Sequence, residues 1–250
     1  MRLMTFLREH TPWSIRRASR RIRWRVSQFK EREERPKEVF TRIYSEQLWG
    51  RSLEDEGCRF YSGPGSERTA AVPYVACVNE FIESHGIRTV VDLGCGDFRV
   101  GRGIAQGPIK YVGVDIVEPL VLTNQARFGT DRVQFQCLDI ITDEIPNGDL
   151  CLVREVFQHL SNVQISAILD KLRRFKWIIV TEVQPGQLGS FKPNRDKPHG
   201  VDSRVVMWNS GIVLSAPPFN ISGVELLLTV PAAQKNAPDE TCISTVLIRN

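Results

Sequence analysis

An acidic residue and a pair of glycines close an apolar run in the segment 90–97, VVDLGCGD. A second apolar run ends in Asp115, twenty-one positions after Gly94. A buried strand that turns through glycines into a helix brings backbone N–H groups close to a ligand. An acid about 20 residues further on, at the end of the next strand, can accept hydrogen bonds from both hydroxyls of a ribose. The spacing therefore predicts a site for a nucleoside cofactor.

The glycine pattern departs from that of dinucleotide-binding proteins. A G-x-G-x-x-G fingerprint would require its third glycine at position 99, where the chain has Arg99. An arginine is too large for the close packing of helix on strand that the third glycine allows. No Tyr-x-x-x-Lys pair is present either. A nicotinamide-dependent oxidoreductase is therefore an alternative that the sequence disfavours.

The segment 90–97 instead resembles motif I of the class I (Rossmann-like) S-adenosylmethionine-dependent methyltransferases, and the resemblance extends over about residues 60–250. The segment 149–160, DLCLVREVFQHL, resembles the loop after the fourth strand of that family. The loop Ser62–Ser66 and the segment Pro217–Phe219 are similar to a bacterial branch that acts on small molecules and glycans. One departure is Asp97, where the family often has a third glycine.

The resemblance implies that S-adenosylmethionine is the cofactor and assigns a role to each acid. Asp92 would help to hold the methionine end and Asp115 the ribose, while Asp139 would contact the adenine amino group, with an apolar neighbour packed on the ring. The residues implied to bind the cofactor are Asp92, Gly94, Gly96, Asp97, Asp115, Ile116, Asp139, Ile140, Arg154 and Glu155. None of the six cysteines form a C-x-x-C pair, so no metal site is predicted.

The acceptor side needs a proton acceptor close to the methyl group when the acceptor is a hydroxyl. His159 lies in the loop after the fourth strand, and imidazole titrates near neutrality, so His159 is the predicted catalytic base. Glu155, in the same loop, is expected to face the substrate. The alternative is that His159 only packs or begins a helix.

The polar stretch Gln184–Gly211 follows the fifth strand, beyond the carboxyl end where α/β sheets bind ligands. It is therefore a candidate substrate lid, and a merely solvated loop is the alternative. Four of its side chains are expected to contact a polar substrate, namely Asn194, Asp196, His199 and Arg204. Asp196 and His199 are also further candidate bases.

Alternating strand and helix patterns predict an α/β fold. The expected architecture is a Rossmann-like methyltransferase fold, with a mainly parallel seven-stranded sheet, a C-terminal antiparallel strand pair and helices on both faces. The strands are predicted at Thr89–Leu93, Tyr111–Val114, a stretch ending at Ile140, Asp149–Val153, Lys176–Glu182, Val224–Val230 and Cys242–Ile248. Helices are predicted at Phe40–Trp49, from a first turn at Pro73 up to Gly86, after Asp97 as N-cap, between Pro119 and Gly129, and after a cap at Ser161 or Asn162.

Charge is unevenly distributed along the 250 residues, which carry a formal net charge of +4. Residues 1–30 contain nine Lys or Arg and one Glu, whereas the remainder has a net charge of −4. We therefore divide the chain into a basic extension, 1–38, and a methyltransferase domain, 39–250. The extension could adsorb to anionic lipid, nucleic acid or an acidic partner. A solvated extension and a mitochondrial transit peptide are the alternatives.

The sequence contains neither an apolar run of the roughly 18 residues that a membrane helix needs nor the apolar core of a signal peptide. Scattered cysteines favour a reducing compartment, so we expect a cytoplasmic protein, with a membrane-peripheral location as the alternative. The predicted reaction is methyl transfer to a small polar acceptor, most simply a hydroxyl of a sugar, glycan or metabolite. One alternative is a non-catalytic interaction protein, if the turn at Asp97 blocks the cofactor. Another is a nucleic-acid or protein methyltransferase recruited by the tail, although the Asn-Pro-Pro-Tyr-type loop of base-methylating enzymes is absent.

Overall fold

Seven strands form one sheet in the order β3-β2-β1-β4-β5-β7-β6. The computed structural model describes residues 34–52, 59–186, 189–232 and 241–250. Strands β1 to β5 pair in parallel, whereas β7 is antiparallel to both of its neighbours. The strands are β1 Thr89–Leu93, β2 Lys110–Asp115, β3 Val133–Cys137, β4 Leu150–Arg154, β5 Trp177–Gln184, β6 Glu225–Pro231 and β7 Cys242–Arg249. The predicted seven-stranded sheet with a C-terminal antiparallel pair is confirmed.

The central strands are buried on both faces, as expected for parallel strands covered by helices. Successive side chains point to opposite faces. Val90 of β1 therefore packs in one core with Tyr74 and Val78, while Val91 packs in another with Ile165. The near-continuous apolar runs of the sequence follow from this double burial.

Helices cover both faces of the sheet. The first core includes side chains of α2 and α3, and the second includes the apolar face of α5. The helices are α1 Pro36–Ser45, α2 Arg68–His85, α3 Gly101–Ile104, α4 Glu118–Phe128, α5 Asn162–Leu172 and α6 Arg204–Trp208. Single 3₁₀ turns form at Pro64–Ser66 and Phe157–His159. None of the helices in the described ranges is long and apolar enough to cross a membrane.

The parallel register brings the carboxyl ends of the first four strands to one edge of the sheet. Leu93 pairs with both Val114 and Val153, and Asp115 pairs with Cys137. The loops that follow β1, β2, β3 and β4 therefore meet at this edge. In open α/β sheets this is the edge at which ligands bind.

Several predicted boundaries were wrong. Helix α1 ends at Ser45 rather than Trp49. It begins at Pro36 rather than Phe40, because proline suits the first helical turn and Glu38 accepts a hydrogen bond from the N–H of Arg35. Strand β3 ends at Cys137, three residues before Ile140, because Asp139 already turns the chain. Asp97 accepts the N–H of Arg99 in a tight turn that precedes α3 and is not the helix N-cap.

Helix α2 ends before Gly86 as predicted, but it begins at Arg68, so Pro73 lies inside the helix rather than in its first turn. The ends of α4 and the start of α5 agree with the sequence. Pro119 lies in the first turn of α4 and Gly129 follows its last residue. The hydroxyl of Ser161 accepts the N–H of Gln164, which caps α5. The predicted boundary at residue 38 falls within α1, and residues 1–33 of the basic extension lie outside the described residues.

Candidate functional site

The glycine turn after β1 is bonded to the end of β2. The N–H groups of Gly94 and Cys95 both donate to the carbonyl of Val114, at 2.7 and 3.0 Å. Gly96 has a φ of 57°, and a Cβ there would lie 2.3 Å from Ser62 Oγ. Only glycine therefore allows the turn this conformation and this close approach.

Asp115 lies at the carboxyl end of β2 and is bonded to the same turn. Its Oδ2 accepts the N–H of Gly96 at 3.1 Å, and its Oδ1 accepts the N–H of Val117 at 3.0 Å. Burial raises the pKa of Asp115 to about 6, against the effect of these amide donors. A carboxylate oxygen can accept more than one hydrogen bond, so Asp115 can still accept bonds from ribose hydroxyls.

Two further buried acids surround the turn. Asp92, at the end of β1, accepts the hydroxyl of Tyr111, and burial raises the pKa of Asp92 to about 6. Burial also raises the pKa of Asp97, whose Oδ2 accepts the N–H of Ser62 at 3.2 Å. Repulsion from Asp97 adds to the raised pKa of Asp115. This excess of negative charge in a buried site fits a cationic ligand such as a sulfonium.

The loop after β3 carries Asp139 and Ile140 and is fixed from α5. The ammonium of Lys171 donates to the carbonyls of Ile140, Ile141 and Asp143, at 3.2, 2.7 and 2.8 Å. Asp139 accepts the N–H of Ile141 at 2.9 Å. The backbone of this loop is thus held in one conformation beside the end of β2.

An aromatic cluster from α1 and the following loop covers the end of β2. Tyr44 and Phe60 pack there with Val117, and the half-buried Ile116 lies against the same cluster. The hydroxyl of Tyr44 is 3.0 Å from Ser62 Oγ. Helix α1 therefore packs over the glycine turn and the end of β2.

Arg154, the last residue of β4, and Glu155, which follows it, lie at the other side of the turn. Arg154 Nη1 is 3.1 Å from Glu155 Oε1, and Nη2 donates to the carbonyl of Gly65 at 2.7 Å. The loop 62–66 thus extends from the glycine turn to the end of β4. Glu155 has a φ of 55°, a conformation that non-glycine residues adopt at a cost and that is frequent at functional sites.

His159 ends the 3₁₀ turn after β4 and packs against two other segments. Its Nδ1–H donates to the carbonyl of Gly200 at 3.1 Å, and its ring centroid lies 5.1 Å from that of Trp49. Burial, and then the charge of Lys197, lowers the pKa of His159 to about 3. An imidazole with so low a pKa is a weak base at neutral pH, so this geometry favours a positioning role.

Comparisons with known proteins find weak sequence similarity to a methyltransferase and solved structures of the same fold. No family model matches the chain. A stretch of 81 residues is 28% identical to the uncharacterized methyltransferase Mb0092 of Mycobacterium bovis. The aligned stretch covers 32% of this chain and 41% of that protein. The chain therefore spans well under half the length of the curated relatives that it matches.

Two solved structures align over most of the chain. The N-terminal domain of EvdMO1, crystallised in the presence of S-adenosylhomocysteine and D-fucose, is 17% identical with a TM-score of 0.52, and the match covers 86% of this chain and 97% of that domain. The N-methyltransferase NodS of Bradyrhizobium japonicum, with S-adenosylhomocysteine bound, is 13% identical with a TM-score of 0.52, over 74% and 88%. The chain has the Rossmann-like fold of the class I S-adenosylmethionine-dependent methyltransferases.

The methyltransferase fold brings the predicted cofactor residues to one edge of the sheet. Five of them form the glycine turn and its surrounding acids, namely Asp92, Gly94, Gly96, Asp97 and Asp115. Asp139 and Ile140 lie in the loop after β3 on one side, and Arg154 and Glu155 lie at the end of β4 on the other. The individual roles of these residues stay predictions.

The segment proposed as a substrate lid is bonded into the methyltransferase fold. Arg204 is fully buried and donates to the carbonyls of Arg195 and Phe157 and to the side chain of Asn162, at 2.7–2.9 Å. Asn194 is 5% exposed and donates to backbone carbonyls of residues 213–217. The prediction that these two side chains contact substrate was wrong, because both are already hydrogen-bonded to protein groups from distant segments.

The other two polar side chains of that segment also have protein partners. Asp196 accepts the N–H of Asn162 at 2.7 Å. His199 bonds Gln164 through Nδ1 and the carbonyl of Glu34 through Nε2, each at 3.1 Å. Burial lowers the pKa of His199. Both side chains therefore join this segment to α5 and to the residues before α1.

Glu182 of β5 contributes to the site but was not predicted from the sequence. Its two carboxylate oxygens accept the N–H groups of Phe157 and Gln158, at 2.8 and 3.0 Å, and it is 2% exposed. The only sequence signal was an acid within an apolar strand. Among the residues that the structure describes, no group of three or more His, Cys, Asp or Glu side chains is arranged to hold a metal.

Proposed function

We propose that the chain is an S-adenosylmethionine-dependent methyltransferase. The observation that carries the proposal is the cluster of buried carboxylates, Asp92, Asp97 and Asp115, around a glycine turn at the ligand-binding edge of this fold. A sulfonium cofactor would compensate their charge, whereas a dinucleotide would add phosphates to it. The weak similarity to a curated methyltransferase and the fold of cofactor-bound neighbours support the same assignment.

Each of the predicted cofactor residues then has a role in binding S-adenosylmethionine. Asp115 accepts the ribose hydroxyls, the loop at Asp139 and Ile140 receives the adenine, and Ile116 packs beside it. Asp92 and the turn Gly94–Asp97 hold the methionine end. The cofactor supplies an activated methyl group, and the protein aligns the acceptor, excludes water and receives the acceptor's proton.

The acceptor in this proposal is a small polar molecule, with a sugar or metabolite hydroxyl as its reacting group. His159 packs against Trp49, and these two side chains donate to the carbonyls of Gly200 and Val201. A carbonyl oxygen has a second lone pair, so each of these carbonyls can also accept a hydrogen bond from a substrate hydroxyl. One structural neighbour was crystallised in the presence of D-fucose, which makes monosaccharides the first acceptors to test.

A direct test is label transfer. The purified chain is incubated with methyl-labelled S-adenosylmethionine and separate pools of monosaccharides, nucleotides, peptides and RNA, and products are resolved by mass. Labelled monosaccharide supports the proposal, and labelled peptide or RNA indicates the alternative of a macromolecular acceptor recruited by the basic tail. Cofactor binding without any transfer would support a non-catalytic role.

A further inference from the structure

The glycine turn and the end of β2 are covered by the segment 60–67, called the covering segment below. Ser62 lies directly on the turn, since a Cβ on Gly96 would be 2.3 Å from Ser62 Oγ. Phe60 packs in the aromatic cluster over the end of β2. Beneath them Asp115 is only 7% exposed. So little of this carboxylate is exposed that a nucleoside needs the covering segment to move before it can bind there.

Asp97 bonds the covering segment to the glycine turn twice. Its N–H donates to Ser62 Oγ at 2.8 Å, and its Oδ2 accepts the N–H of Ser62 at 3.2 Å. A glycine at position 97 would keep the first of these bonds and lose the second. The carboxylate at this position therefore fixes the covering segment to the turn. Its side chain is 5% exposed, and a charge buried to this extent needs a cationic partner.

Arg99 is that cationic partner and joins the turn to two further places in the chain. Its Nε lies 3.7 Å from Asp97 Oδ2, and its Nη1 lies 3.4 Å from Glu67 Oε2. Nη1 also donates to Ser52 Oγ at 2.7 Å. The guanidinium carbon lies 5.4 Å from the ring centroid of Tyr61. Because Tyr61 and Glu67 lie near the two ends of the covering segment, one guanidinium holds both ends beside the turn.

Two largely buried carboxylates depend on this guanidinium. Burial raises the pKa of Asp97, and the charge of Arg99 opposes that rise. Oε2 of Glu67 is buried and accepts no hydrogen bond from the described residues, so the charge of Arg99 compensates it. Without the guanidinium, both carboxylates would be more stable in water than under the covering segment. Loss of Arg99 should therefore favour an open covering segment.

We propose that Arg99 is a positioning residue that holds the covering segment closed over the glycine turn and thereby controls the entry and release of the cofactor. The inference rests on the proposed function. Arg99 acts through Asp97 and Glu67 rather than by touching the cofactor. The covering segment has to open both for binding and for release, so breaking its contacts should accelerate both steps.

Stopped-flow mixing of the full chain with S-adenosylmethionine measures the two steps separately. Arg99→Met should raise the association and the dissociation rate constants alike, by about 5- to 30-fold, and change the equilibrium affinity by less than about threefold. Glu67→Gln should act in the same direction. The double variant should behave like Arg99→Met alone, because both changes remove the same contact. Arg102→Met, at an exposed arginine of α3, is the matched control and should leave both rates unchanged.

Hydrogen exchange of the ligand-free chain tests the closed segment without any cofactor. The amides of Ser62 and Asp97 are bonded to each other's side chains, and both should lose protection in Arg99→Met. The amides of β5 should keep their protection, which excludes general unfolding. If Arg99→Met misfolds, Arg99→Lys keeps the charge but not the forked donor, and it should show the same changes to a smaller extent.

The outcomes separate this inference from the proposed function. Wild type that binds S-adenosylmethionine, with both rate constants unchanged in Arg99→Met, would overturn the inference and leave the proposed function standing. Faster dissociation at an unchanged association rate would also overturn it, because that result indicates a direct contact with the ligand. If wild type binds no S-adenosylmethionine, the proposed function fails and the control of cofactor exchange fails with it.

Discussion

Glu182 Oε1 accepts the N–H of Phe157 at 2.8 Å, while the carbonyl of the same Phe157 accepts Arg204 Nη1 at 2.7 Å. A strand residue and a residue of the distant segment after β5 thus fix the turn that carries His159. Burial raises the pKa of Glu182 to about 8, and the charge of Glu155 adds to this. The position of the turn that carries His159 therefore depends on a carboxyl group whose pKa lies well above its usual value.

Glu182→Gln is expected to change the pH dependence of stability. The folded-state pKa of Glu182 lies above its usual value of 4.5, so the folded chain holds this proton more tightly than the unfolded chain. Wild type therefore loses stability as the pH rises from about 5 to 8. Glutamine does not titrate, so the stability of the variant relative to wild type should rise by roughly 2–4 kcal/mol over that range. Urea unfolding at pH 5 and pH 9 measures this, and parallel pH curves would contradict it.

His159→Gln tests whether this residue is the base. Because the pKa of His159 is about 3, we expect turnover to fall less than about tenfold, with the pH profile of kcat unchanged between pH 6 and 8. Cofactor affinity should stay at its wild-type value. A fall of about 10²–10⁴ in kcat with intact cofactor binding would instead establish His159 as the general base.

Lys171→Met should weaken binding at the adenine end. The methionine keeps the apolar stem but removes the ammonium that bonds three carbonyls of the loop after β3. We expect 5′-methylthioadenosine and S-adenosylhomocysteine to lose about 3- to 30-fold in affinity to the same extent. Lys110→Met, at an exposed lysine, is the control. Unchanged affinity for both ligands would show that the loop does not contact the adenine.

Truncations at two positions separate the basic tail from the fold. Deleting residues 1–33 should leave the melting temperature and cofactor affinity unchanged and abolish salt-sensitive adsorption to anionic vesicles. Deleting residues 1–38 should lower the melting temperature, because it removes the first turn of α1, the Glu34 contact to His199 and the Lys37–Glu118 ion pair. Equal behaviour of both truncations would place the boundary at residue 38, as predicted from charge alone. Retained adsorption after either deletion would assign that surface to the domain.

The parts of the fold that follow local patterns were predictable from the sequence. Buried strands ending in acids and glycines indicated β1 and β2, and the capping residue Ser161 indicated the start of α5. These features depend on a few neighbouring residues, whose conformational preferences act locally.

The parts that depend on distant contacts were not predictable. A polar loop rich in Gly, Pro, Lys and Asn is normally solvated, yet Asn194 and Arg204 are buried and bond to carbonyls from other segments. The low pKa of His159 likewise comes first from burial and then from the charge of Lys197, which lies far away along the chain. A polar side chain can be buried only where groups from other segments form hydrogen bonds with it, and the local sequence does not specify those distant partners.

The most direct measurement is a calorimetric titration of the wild-type chain with S-adenosylmethionine and, separately, with NADH. The account predicts saturable micromolar binding of S-adenosylmethionine and none of NADH. It also predicts that Asp115→Ala weakens S-adenosylmethionine by about 1–3 kcal/mol, because the ribose hydroxyls lose their acceptor. Asp131→Ala, at an exposed acid, should bind like wild type. Binding of NADH in place of S-adenosylmethionine, or of neither ligand, would contradict the account.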